Sequence, residues 1–114
     1  PEQVARYYRA ADLYVHPARA DTFPNTVIES LACGTPVVAS AVGGIPEQII
    51  EGRTGFLVPA GSALAMTGRI LDLLADEDLR LWMGRQAAED ATKRFGMERM
   101  VEEYLEFYRI IHDG

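Results

Sequence analysis

Residues 35–39 (TPVVA) stand between Gly34 and the pair Gly43-Gly44, and they leave little choice of architecture. A compact β-branched run with no polar alternation is the signature of a strand buried on both faces, as strands are in parallel sheets. Such a strand needs helices above and below it, and the flanking segments supply them.

Ahead of it, residues 26–33 read as a helix capped by Asn25 and stopped by Gly34. Residues 12–16 (DLYVH) form a second strand candidate ended by Pro17, followed by the polar loop PARADTFPN. After SAVGGIP, a helical turn is expected at 47–50 with Pro46 suited to open it. Gly52 to Gly55 then turn the chain into the strand FLV, which Pro59 ends. From Ser62 on the pattern is helical, over 62–75, 77–95 and 97–112, punctuated by Asp76 and Gly96. PEQVARYYRAA, at the start, places Val4, Tyr7, Tyr8 and Ala11 on one helical stripe.

Strands alternating with helices at short spacing imply parallel βαβ units. The expected fold is α/β: a three-layer parallel sheet, partial at about three strands, with C-terminal helices. Leu64, Ile70, Leu71, Leu74, Leu79, Trp82 and Met83, then Met100, Tyr104, Phe107 and Tyr108, recur at helical spacing and are expected to be core. If the sheet continues in a larger protein, one edge here lacks its neighbours and invites self-association.

Composition narrows the function. With 48% apolar residues in 114, the chain can bury a core, and a net charge of -6 argues against nucleic-acid binding through a basic face. One cysteine, Cys33, permits no internal disulfide, no paired Cys/His spacing suggests zinc, and a reducing, cytoplasmic setting fits best. No apolar run approaches the roughly 20 residues of a membrane span. The chain opens on Pro1 and runs straight into a helical pattern, so a piece of a longer protein is expected.

In an open parallel sheet, ligands gather at the carboxyl ends of strands. The loop after DLYVH carries Asp21 and delivers the backbone around Phe23, Asn25 and Thr26 to a helix start, where unpaired N–H groups suit a phosphate. Glu29, one turn in, can accept two hydrogen bonds side by side, as a vicinal diol such as ribose offers. Gly43 and Gly44 permit close backbone approach or positive φ. Each has a plainer reading: Asp21 as a turn residue, Glu29 on an exposed helix face, the glycine pair as an ordinary loop. Asp76-Glu77-Asp78 sits between two helices, where a cap outweighs a metal site. Cys33 fits a small buried residue, and His16 a satisfied core histidine with the cleft as its alternative.

The stretch DTFPNTVIESLACGTPVVASAVGGIPE, with two acidic residues separated by seven, then ACGTPVVAS and GGIPE, resembles the donor-binding motif of retaining nucleotide-sugar glycosyltransferases of the GT-B fold, the group 1 family. RTGFLVP and RFGMERM follow the same pattern, so the resemblance covers essentially the whole chain. It implies that residues 1–114 are the distal part of a Rossmann-like C-terminal donor domain. The implied donor is a UDP-, GDP- or ADP-sugar, with no metal or other cofactor, and polysaccharide or glycolipid biosynthesis is the implied setting. Glu29 would bind the ribose hydroxyls, Asp21, the implied catalytic residue, the donor sugar, and the amides of Phe23, Asn25 and Thr26 the sugar and diphosphate, with Gly43-Gly44 beside them. Asp21 and Pro24 depart from the commoner Glu and Phe-Gly-Leu, which bears on sugar preference. The family's cationic pair and its acceptor domain lie outside this sequence, and neither Arg19 nor Arg53 matches that pair. The chain alone is therefore expected to be inactive in transfer, even where the parent is a hexosyltransferase that meets a membrane surface. The alternative is a non-catalytic nucleotide-binding or self-associating module.

Overall fold

A computed structural model of the protein describes residues 13–17, 24–99, 101–102, 105–106 and 109. The expected first helix, and Asp12, Met100, Tyr104, Phe107 and Tyr108, lie outside those residues.

Three strands, β1 (Tyr14–His16), β2 (Val37–Ser40) and β3 (Gly55–Val58), form one parallel sheet in the order β1-β2-β3. Tyr14 pairs with Val37, and Val38 with Phe56. The helices are α1 (Asn25–Ala32), α2 (Ile45–Gln48), α3 (Ala63–Ala75) and α4 (Glu77–Phe95). Residues 98–99, 101–102, 105–106 and 109 are also helical, within the expected last helix.

β2 is buried at all four positions, as its composition demands. Alternation sends its side chains to opposite faces. Val37 and Ala39 join Val27, Leu31 and Ala32 of α1 and Ala87, Ala88 and Ala91 of α4 in one cluster. Val38 joins Leu73 of α3 and Met83 of α4 in the other. Helices therefore cover both faces, and the three-layer expectation holds. The strand begins at Val37 rather than Thr35 because Pro36 has no N–H for the ladder. Its carbonyl instead accepts the Tyr14 N–H at 2.9 Å.

α4 contributes to both clusters, and small residues let it do so. A side-chain carbon added at Gly84 would strike the carbonyl of Gly34, in the turn between α1 and β2. Glycine there permits backbone-to-backbone contact. The helix bounds follow chemistry read from the sequence: Asp76 Oδ1 accepts the Leu79 N–H at 2.9 Å as the cap of α4. Ser62 likewise caps α3 by accepting the Ala65 N–H at 3.2 Å.

Several expectations need correction. Asn25 is the first helical residue of α1 and not its cap; Pro24 holds that place at φ −67° and ψ 128°, with no side-chain cap bond. The proline φ already fits a helix, and it is the extended ψ that sets Pro24 outside α1, as at other N-cap positions. Leu64 is 86% exposed and Leu71 60%, and Leu74 and Trp82 are also exposed. α3 is apolar on more than one side, and packing on the sheet selects Met66, Ile70 and Leu73. The short turn α2 starts two residues early, with Pro46 inside its first turn.

Candidate functional site

The carboxyl ends of the strands, at His16, Ser40 and Val58, share one edge of the sheet because all three run parallel. The start of α1 and the Gly43-Gly44 loop both belong to this edge. In α1, Val27, Ile28, Leu31 and Ala32 are buried, leaving Asn25 and Thr26 exposed and Glu29 half-buried. Asn25 and Glu29 are four apart, so they lie on one helix face, about 6 Å along the axis. The Glu29 carboxylate makes no hydrogen bond or ion pair among the described residues.

The first N–H groups of an α-helix have no acceptor inside it, and here no side chain among the described residues caps them. Across from them Gly43 sits at φ 54°, a backbone conformation that disfavours any side chain, while Gly44 opens α2 at φ −86°. The N–H groups of both glycines donate to no acceptor among the described residues. Two sets of unclaimed donors and one carboxylate acceptor thus occupy this edge. The donors suit an anion, and the carboxylate suits hydroxyl groups. Asp21 and Phe23, the other expected site residues, lie outside the described residues, as does Arg19.

Gln48 joins the two donor sets, and nothing in its sequence context marks it. It is fully buried, and its Nε2 donates to the carbonyl of Pro24, the cap of α1, at 2.9 Å. The carbonyls that end α2 are held in turn by Arg94, which donates from Nη1 to Glu47 at 2.7 Å and from Nη2 to Gln48 at 3.0 Å. Asp90 fixes that guanidinium through contacts of 2.7, 2.8 and 2.9 Å. Asp90 and Arg94 are spaced i, i+4, which reads in sequence as an ordinary surface pair.

The remaining candidates lie apart from this constellation, except His16, which ends β1 on the same edge. His16 is half-buried with its Nδ1 3.0 Å from the Tyr14 hydroxyl, as expected of a satisfied histidine. Arg53 precedes β3, at the opposite end of the sheet, and donates to Gln86 Oε1 at 2.9 Å. Cys33 is buried. Among the described residues, no three His, Cys, Asp or Glu side chains are grouped to hold a metal ion, and no helix is long and apolar enough to cross a membrane. A shallow cleft of about 220 Å³ opens on the α3 side of the same edge, lined by Pro17, Ser40, Pro59 and the start of α3. Its walls are mostly apolar, and among the described residues no charged side chain lines it.

Comparison with known proteins agrees with this fold. A family model described as "Glycosyl transferases group 1" matches residues 1–90. D-inositol 3-phosphate glycosyltransferase of Paenarthrobacter aurescens (strain TC1) is 40% identical over 107 residues, which make up 94% of this chain and 26% of that protein. Sucrose-phosphate synthase from Thermosynechococcus elongatus matches with a TM-score of 0.81 at 36% identity, over 97% of this chain and 28% of its own. HepE from Anabaena, solved in complex with UDP, matches with a TM-score of 0.77 at 26% identity, over 90% and 29%. The same protein has been solved with UDP-glucose. This chain spans about a quarter of the length of the curated relatives it matches.

Proposed function

The chain belongs to the group 1 glycosyl transferases, and on that premise we propose that it forms the distal part of a nucleotide-sugar donor site, in an enzyme that transfers the sugar with retention. One observation carries the reading. The start of α1 and the Gly43-Gly44 loop are tied together by the Gln48–Pro24 hydrogen bond, with the Glu29 carboxylate, unengaged among the described residues, one turn along.

In this reading the diphosphate lies at the α1 start, where backbone N–H groups and the helix dipole favour negative charge. Glu29 accepts hydrogen bonds from the ribose hydroxyls, and Asp21 from those of the donor sugar. The N–H groups of Phe23, Asn25 and Thr26 face the sugar and diphosphate, with Gly43 and Gly44 beside them. When the bond between the sugar and the diphosphate breaks, negative charge grows on the departing phosphate. Donors fixed in advance stabilise that charge without reorganising. UDP is the first nucleotide to test, since HepE was solved with it; GDP and ADP are its competitors.

The acceptor-binding domain and the cationic side chains for the leaving group would come from outside these 114 residues, so the chain by itself should bind the donor without transferring sugar. The other reading, a module that binds nucleotide or associates with itself, draws on β1, which pairs only with β2 among the described residues. Calorimetric titration with UDP, GDP and ADP tests the donor site. Binding of one of them that is lost in Glu29→Ala supports it, and no binding at millimolar ligand overturns it. Sugar transfer by the isolated chain would overturn the division of labour.

A further inference from the structure

Gln48 is completely buried among residues of the larger apolar cluster, beside Ile45 and Ile49. A side-chain amide can make up to four hydrogen bonds, and among the described residues that of Gln48 makes one. Its Nε2 donates to the Pro24 carbonyl at 2.9 Å, while Oε1 has no partner among the described residues. Leucine or methionine would fill similar space without burying an unsatisfied acceptor. What a hydrocarbon cannot supply is the bond to Pro24, and Pro24 is the residue on which α1 begins.

The other end of Gln48 is equally constrained. α2 has four residues, far too few to be stable as an isolated helix. Its last carbonyls are held by Arg94, itself gripped by Asp90. A rigid element, α4, is thereby linked through a short turn to the cap of α1. The turn directly follows Gly43 and Gly44, so both sets of unclaimed N–H groups are referred to one anchor.

We propose that Gln48 is a positioning residue. It sets Pro24, and with it the first N–H groups of α1, at a fixed distance from the Gly43-Gly44 loop, so that both converge on one diphosphate. This rests on reading that edge as the donor site. Gln48 itself touches no ligand, and its effect is confined to the phosphate end of the nucleotide.

The test compares UDP with uridine, both titrated into the whole chain and into Gln48→Leu by NMR, which measures weak binding. Gln48→Leu should bind UDP roughly three- to tenfold less tightly, the share of one hydrogen bond. Uridine affinity should stay within about twofold, and the melting temperature should hold or rise because no unsatisfied amide remains buried. Amide exchange at Ile28 and Glu29, the first N–H groups with acceptors inside α1, should quicken before any ligand is added. Gln48→Met, close in length, serves if the leucine variant does not fold. Equal losses for UDP and uridine would reduce Gln48 to a structural residue, and unchanged UDP binding or unchanged exchange would likewise sink the proposal. A wild-type chain that binds neither ligand overturns the donor-site reading and this proposal with it.

Discussion

Arg94 and Asp90 form a fork-to-fork pair on one turn of α4, with Arg94 Nη2 2.7 Å from Asp90 Oδ2, and the pair serves the interior. Asp90 is nearly buried, and the guanidinium also reaches the carbonyls of Glu47 and Gln48. Arg94→Met removes every one of these bonds and strands a buried carboxylate. Hydrogen bonds to charged groups are worth about 1.5–3 kcal/mol, and partial exposure of the arginine argues for the lower part, about 2 kcal/mol of stability. Lys93→Met, which breaks the exposed Lys93–Glu89 pair on the same helix, should leave stability close to that of wild type. Urea unfolding of both variants measures the difference. Equal effects would mean that Arg94 is an ordinary surface residue.

Two glycines on neighbouring helices should respond in opposite directions to alanine. Gly84→Ala drives a methyl group into the Gly34 carbonyl and should destabilise by roughly 1–3 kcal/mol, as overpacking does. Gly68 in α3 has open space around it, and Gly68→Ala should stabilise by about 0.5–1 kcal/mol through helix propensity. Thermal melts of the two variants should therefore move to opposite sides of the wild type. A stable Gly84→Ala protein would show that α4 does not press on the α1–β2 turn.

Leucines of α3 separate the core from the surface. Leu73 is completely buried against Val38 and Met83, and Leu73→Ala should cost about 2–5 kcal/mol. Leu64→Ala should fall within about 0.5 kcal/mol of wild type. Denaturant midpoints decide, and a large loss at Leu64 would contradict the placement of α3.

Gly43→Ala forces a side chain to adopt φ 54°, which costs on the order of 1–2 kcal/mol. The same change at Gly44, with φ −86°, carries no such backbone strain. Calorimetric unfolding should therefore rank Gly43→Ala below Gly44→Ala, and the reverse order would mean that the loop takes another path.

The parts of this fold that were legible in the sequence are those set by local chemistry. TPVVA announced a doubly buried strand, and Asp76 and Gly96 bounded α4 because a capping carboxylate and a left-handed glycine act within a few residues. Leu64, Leu71, Leu74 and Trp82 misled because periodicity cannot say which of several apolar flanks meets the sheet. Asn25 misled because Pro24 ends the preceding chain conformation without any side-chain cap. At the candidate site, the placement of Glu29 and of the glycine pair on one edge followed from short spacings. The Gln48–Pro24 and Arg94–Glu47 bonds did not, since their partners are 24 and 47 residues apart and neither residue type announces burial.

The donor-site account is tested most directly by mapping UDP onto the isotope-labelled chain through its backbone amide shifts. The predicted result is a saturable response centred on Asn25, Thr26, Gly43 and Gly44, abolished or weakened at least about tenfold in Glu29→Ala, as expected for losing hydrogen bonds to a charged acceptor. A response centred on the cleft of Ser40, Gly61 and Ser62, or one indifferent to Glu29, would contradict it.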